Sequence, residues 1–212
     1  ARLGPAGRDA PVVCVLDTGV QETHPLLVGS LDAADSRLVN PAWPRLITDG
    51  HGTEMAGLAL FGDLQEAVTT ALPVTLGHRL ESVRILQEGQ PTAPKLYGAV
   101  TARAVDLPEI QAPRRARVFL LAVSAYETEG RELEGQPTSW SAAIDALAFG
   151  RAIDSTDTRM MRLDREETPK PRLFTIAAGN IRDLRATDDH LAINDLRPVE
   201  DPGQAWNAVT VG

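Results

Sequence analysis

Three short stretches of this chain hold side chains that could cooperate in acyl transfer. Asp17-Thr18-Gly19 ends an apolar run, His51-Gly52-Thr53 opens a stretch rich in glycine and alanine, and Ala177-Ala178-Gly179-Asn180 ends another apolar run. A carboxylate can hold an imidazole in one tautomer. The imidazole can then take a proton from a hydroxyl, and a side-chain amide can donate to an oxyanion. A hydroxyl nucleophile would complete the set, and none is evident among the 212 residues. Thr138-Ser139-Trp140-Ser141-Ala142 carries hydroxyls but precedes Asn180, and capping of a following helix accounts for them. Taken singly the motifs are weak, since Asp-Thr-Gly also occurs in ordinary turns. An aspartic protease built on Asp17 would need a second such motif to share its proton, and the chain has none.

The elements around these motifs decide whether they can meet. Val12 to Leu16 lacks polar alternation, as expected of a strand buried on both faces of a parallel sheet, and Asp17 stands at its carboxyl end. Val118 to Val123 and Leu173 to Ala178 read the same way, Arg79 to Leu86 is a fourth strand, and Ala208 to Val211 begins a fifth. From His51 a helix is expected with Met55, Leu58 and Ala59 on its inner face, and Gly57 allowing a close approach. Further helices are expected over 63–72, stopped by Pro73, over 97–105, ending before Pro108, and after 138, with Trp140, Ile144, Leu147 and Ala148 inward. Residues 20–46 read as a loop with short elements, 126–137 as a polar loop, and 151–171 as a charged surface insertion. Strands alternating with helices predict an α/β fold with a mostly parallel central sheet flanked by helices in three layers. Such sheets place their sites at the carboxyl ends of the strands.

Composition narrows the function. With 43% hydrophobic and 24% charged residues the chain is globular, and with only 4% aromatics its core must be aliphatic. A net charge of −8 argues against a nucleic-acid partner. Arg114, Arg115 and Arg117 form the one basic cluster, read as a solvated loop. Cys14, the single cysteine, reads as a small core residue and rules out an internal disulfide. It weakly favours a cytoplasmic setting without excluding export. No apolar stretch approaches the length of a membrane span, so no membrane partner is expected.

The order of the motifs resembles that of the subtilisin-like serine proteases, the subtilases, over nearly the whole chain. Val13-Cys14-Val15-Leu16-Asp17-Thr18-Gly19-Val20 is similar to the family's aspartate motif, and Asp49-Gly50-His51-Gly52-Thr53-Glu54-Met55-Ala56-Gly57 to its histidine motif. Phe174 to Asn180 is similar to the oxyanion strand, Asn207 to Gly212 to the strand after it, 82–86 to an intervening strand, and 143–147 to the helix before the oxyanion strand. The resemblance implies a serine endopeptidase acting on proteins or peptides, with His51 as general base, Asp17 as its partner and Asn180 as oxyanion donor. It also implies that Ser124, Ala125 and Tyr126 on one side, and Ala177, Ala178 and Gly179 on the other, flank the substrate as an added strand would.

Three departures qualify it. The family's Gly-Thr-Ser-x-x-x-Pro nucleophile motif is absent, so residues 1–212 are expected to be the amino-terminal part of a catalytic domain that ends before its serine. Its partners would then be the substrate and the remainder of its own domain, and the chain alone would be inactive. Ala125-Tyr126 stands where the family commonly has a glycine, which would reshape the substrate edge. No Asn/Gly-rich calcium loop follows the histidine helix, so neither a metal nor a cofactor is expected. Outside these motifs, His24 and His78 read as surface or internally satisfied histidines, the acidic loop Asp183, Asp188, Asp189 and His190 as solvated, and Glu54 as turned away from the site. The alternative reading is a catalytically dead relative that binds peptides or a partner. Retention of Asp17, His51 and Asn180 together argues against it.

Overall fold

The runs that lack polar alternation form the middle of a sheet. The computed structural model describes residues 3–69, 73–125, 135–154, 161–163, 170–181, 185 and 187–212. In chain order its elements are β1 (Leu3–Gly4), β2 (Val12–Asp17), β3 (Ser36–Leu38), α1 (His51–Phe61), α2 (Leu64–Thr69), β4 (Val74–Thr75), β5 (Arg79–Arg84), α3 (Tyr97–Gln111), β6 (Arg117–Leu121), α4 (Ser139–Ala148), β7 (Ala152–Asp154), β8 (Met161–Leu163), β9 (Leu173–Ala177), α5 (His190–Asn194) and β10 (Val209–Val211). Six of the strands build one sheet in the order β10-β9-β6-β2-β5-β3, with every neighbouring pair parallel.

Alternation along β2 divides the interior in two. Cys14 and Leu16 join Phe119, Leu121, Phe174 and Ile176 against α3 and α4, where Ala102, Val105, Ile144 and Leu147 close the layer. Phe119 and Phe174 stack across β6 and β9 with ring centroids 5.1 Å apart. On the other face, Val13, Val15 and Leu80 meet Ala56 and Leu60 of α1. The result is the expected three-layer α/β architecture. α1 covers only the β2–β5 half of its face. Over the β9–β10 half, Leu173, Val209 and Val211 stay 48%, 50% and 55% exposed.

From β2 the chain runs out to β3 and back to β5, then crosses β2 to β6 and steps outward through β9 to β10. The connections of β2 and β6 therefore diverge, and a crevice opens at their carboxyl ends. Asp17 ends β2 at that crevice.

Several local expectations are corrected. β3 lies inside the stretch read as loop: it is too short and polar to show a pattern, and its pairing with β5 defines it. α3 continues through Pro108 to Gln111. Pro108 is buried in the last turn, and its carbonyl accepts from Ala112 N (2.9 Å) and Arg117 Nη2 (3.1 Å), which holds the end of the helix to the start of β6. Leu58 is 55% exposed, and the buried stripe of α1 is Gly52, Ala56 and Leu60. The expectations for 126–134, for 70–72 and for most of 151–171 fall outside the described residues, apart from the antiparallel pair β7–β8.

Arg114 of the basic cluster is exposed in a turn as expected, but Arg115 and Arg117 are not solvated. Glu81, 2% exposed in the middle of β5, accepts from Arg117 Nη2 (2.9 Å) and Arg115 Nη1 (2.6 Å), and Arg115 also reaches Asp35 at 3.0 Å. Beside this network, burial and then the Glu81 carboxylate push the Cys14 thiol well above its usual range. Removing one member of a buried ion group strands the others without water. Glu81→Ala should therefore cost about 3–5 kcal/mol of stability, read as a lowered urea midpoint.

Candidate active site

The carboxyl end of β2 and the first turn of α1 are locked together by main chain and hydroxyls. α1 starts at Gly50 without a side-chain cap, so its first amides find partners elsewhere. Asp49 Oδ1 accepts from His51 N (2.8 Å), and Thr18 Oγ1 accepts from Gly52 N (3.1 Å). Thr53 Oγ1 in turn accepts from Gln21 N (3.0 Å). The helix can approach this closely because position 52 is glycine: a Cβ there would lie 2.4 Å from Gly19 O. The glycine of close approach is thus Gly52, whereas Gly57 has open space around it.

That approach sets His51 against Asp17. Asp17 is fully buried, and its Oδ1 and Oδ2 lie 2.9 and 3.0 Å from His51 Nδ1, while Thr18 N donates to Oδ1 at 2.6 Å. A carboxylate only accepts, so Nδ1 is the nitrogen that donates, and in the neutral ring the lone pair is left on Nε2. The His51 side chain is 43% exposed, so a half-open imidazole is held by a carboxylate sealed beneath it. Sequence reasoning missed a third support, Arg84 at the end of β5. Its guanidinium is buried and donates to the carbonyls of Pro44 (2.9 Å), Leu46 (3.2 Å) and Leu86 (3.2 Å), fixing the loop that leads into His51.

Asn180 follows β9, exposed, at the same carboxyl edge of the sheet. One strand separates β9 from β2, which puts their ends about 10 Å apart. No hydrogen bond joins Asn180 to Asp17 or His51 among the described residues. The two expected substrate edges are neighbours: β6 and β9 pair up to Leu121↔Ile176 and then separate. Between them runs Glu200-Asp201. Glu200 N donates to Ala178 O (2.7 Å) and Ala125 N donates to Asp201 O (2.7 Å). Ala178 N is also taken, by Val211 O at 2.7 Å. The main chain at Ala178 and the amide of Ala125 are therefore spent inside the fold, which corrects the expectation that they could pair with a substrate. Ser124 and Gly179 meet at the same gap through the Glu200 side chain, Ala177 ends β9 in pairing with Val211, and Tyr126 falls outside the described residues. Behind Ser124 and Ala125 lies an apolar pocket bounded by Leu86, Tyr97, Val100, Val123 and Trp140.

The other candidates have structural work. Thr138 caps α4, accepting from Trp140 N (3.0 Å) and Ser141 N (3.5 Å), while Ser141 Oγ accepts from Thr138 N (2.8 Å). The Thr138 hydroxyl also donates to Asp201 Oδ1 at 2.7 Å, which ties the helix to the gap. Asp189 caps α5 and Asp188 accepts from Arg185 N, while Asp183 falls outside the described residues. His78 Nε2 bonds to Ala59 O at 2.9 Å, and His24 Nδ1 accepts from Leu26 N at 3.4 Å. No group of three or more His, Cys, Asp and Glu among the described residues could hold a metal ion. No helix among them is long and apolar enough to cross a membrane.

A parallel sheet covered by helices, with a buried Asp and a half-exposed His meeting at its crevice, is the arrangement of an acyl-transfer hydrolase scaffold. The chain belongs to the subtilase family, whose model matches residues 8–212, and subtilases are serine proteases. No protein of curated function matches it. Among solved structures it is similar to a psychrophilic protease at 19% identity, with a TM-score of 0.53 over 98% of this chain and 54% of that one. It is also similar to the nisin leader peptidase NisP from Lactococcus lactis at 18% identity, with a TM-score of 0.51 over 98% and 56%. The chain thus spans little more than half the length of these structures.

Gly52→Ala tests the lock. The added methyl must push α1 off the turn at Gly19, since backbone stands in its way. A loss of about 1–3 kcal/mol in urea unfolding is expected, with the His51–Asp17 contact lengthened in a crystal structure of the variant.

Proposed function

We propose that the protein is a serine endopeptidase of the subtilisin type, with its nucleophilic serine supplied by a segment outside residues 1–212. The observation that carries this reading is the contact of His51 Nδ1 with both oxygens of a fully buried Asp17. A merely structural histidine would gain nothing from leaving Nε2 without a hydrogen bond among the described residues. The exposed apolar half-face at Leu173, Val209 and Val211 further supports a missing partner, because it lies on the face that α1 occupies. We assign its cover to the remainder of the protein's own catalytic domain.

In this mechanism His51 Nε2 takes the proton of the serine hydroxyl as its oxygen attacks the peptide carbonyl carbon. Asp17 fixes the imidazole and stabilises the imidazolium. The Asn180 amide donates to the carbonyl oxygen as it gains charge. The imidazolium then protonates the departing amine, the C–N bond breaks, and water activated by the same base releases the acyl group. The Ser124 and Gly179 edges orient the peptide beside these groups.

Residues 1–212 alone should not cleave a fluorogenic protein substrate, because the base has no hydroxyl to activate. With the serine-bearing segment joined to them, turnover should appear. It should then fall on the order of 10⁴-fold or more for His51→Ala, and about 10²–10³-fold for Asn180→Ala, chiefly in kcat. Peptide binding without turnover in the joined form would favour a binding module instead. Turnover indifferent to His51 would overturn the mechanism.

A further inference from the structure

The gap between the two substrate edges has an acidic floor. β6 and β9 diverge beyond Leu121 and Ile176, leaving walls at Ser124-Ala125 and Ala178-Gly179. Glu200-Asp201 closes the bottom through one main-chain bond to each wall, Glu200 N to Ala178 O and Ala125 N to Asp201 O, both 2.7 Å. The Glu200 side chain therefore lies within the gap. Its Cγ occupies the place a Cβ on residue 179 would need, 2.7 Å away, and Gly179 has φ +133°, a conformation that favours glycine. The carboxylate turns toward the opposite wall, where Ser124 Oγ donates to Oε2. Among the described residues Oε1 takes no hydrogen bond and no cation pairs with Glu200, whereas the buried Glu81 has two arginines.

We propose that Glu200 makes this gap a receptor for a cationic side chain, so that the substrates are peptides carrying arginine or lysine at the residue seated between Ser124 and Gly179. A half-buried carboxylate with one free oxygen is better satisfied by a guanidinium or ammonium than by an apolar group, which would desolvate it without return. The walls supply little competing chemistry: Ala125, Ala178 and Gly179 add no charge, so the floor decides. Thr138 Oγ1, donating to Asp201 Oδ1, holds that floor to the amino end of α4 and keeps Glu200 in place. This assignment rests on reading the two edges as the substrate-binding walls.

Peptide binding to residues 1–212 separates the two layers of the argument. Fluorescently labelled hexapeptides differing only in one central residue, Arg, Leu or Glu, are titrated at low salt and followed by anisotropy. The Arg peptide should bind about tenfold or more tightly than the Leu peptide, and the margin should shrink as salt is added. Glu200→Gln, close in shape, should abolish the margin by weakening the Arg peptide alone. Glu200→Lys should reverse the order in favour of the Glu peptide, a gain that lost structure would not produce. Equal binding of Arg and Leu peptides by the unaltered chain, or equal weakening of both in Glu200→Gln, would overturn the acidic-floor assignment and leave the cleft reading standing. If none of the three peptides binds, the walls themselves are misassigned and the proposal falls with them.

Discussion

The site depends on how closely one helix can approach one turn. His51 reaches Asp17 only because Gly52 lets the first turn of α1 settle onto Gly19 O, where a methyl would stand 2.4 Å away. The approach is fastened by the Thr18 hydroxyl on Gly52 N and the Thr53 hydroxyl under Gln21 N. Each of these bonds joins residues more than 30 positions apart, so the lock closes only once β2 and α1 have docked. The burial of Asp17 follows from the same docking, and with it the low-dielectric contact that orders the imidazole.

The sheet converts this local contact into a crevice. β2 delivers the acid, β6 and β9 deliver two walls, and divergence of the chain on either side of β2 and β6 leaves their carboxyl ends open. Away from the carboxyl ends of the strands, the interior carries a different burden. Glu81, Arg115, Arg117 and Asp35 form a buried ion group that fixes β5 against β6 across β2. Arg84 extends the same strand's role to the site, tying the loop before His51 to β5 through the carbonyls of Pro44 and Leu46. One strand thus carries both the rigid ion group and the brace of the loop before His51.

Much of this was legible in residue order. β2, β6 and β9 declared themselves as apolar runs, because interior strands of a parallel sheet show no polar alternation even where, as on one face of β9, the cover is absent, and the motifs fell at their ends. The cap of α4 was legible too, since Thr138 and Ser141 satisfy each other across three residues. Features that only distant contacts create were hidden. β3 is three residues of mixed character and exists by pairing with β5. Arg115 and Arg117 look solvated until Glu81, more than 30 residues away, is seen beneath them. Gly57 seemed the glycine of close approach, but the periodicity of α1 places Gly52, with Ala56 and Leu60, on the buried stripe. Glu200 carried no local signal at all: it sits in a polar segment after an acidic loop, and its meaning comes from Ser124 and Gly179.

The central claim is that Asp17 holds His51 with the proton on Nδ1, leaving Nε2 as the base. Nitrogen NMR of selectively labelled histidine in residues 1–212, assigned by comparison with His51→Ala, reads the tautomer directly. A protonated Nδ1 and a bare Nε2 are predicted above the pH at which the ring is neutral, with that preference lost in Asp17→Ala. A ring found mainly as the Nε2–H tautomer, or one indifferent to the loss of Asp17, would contradict the account.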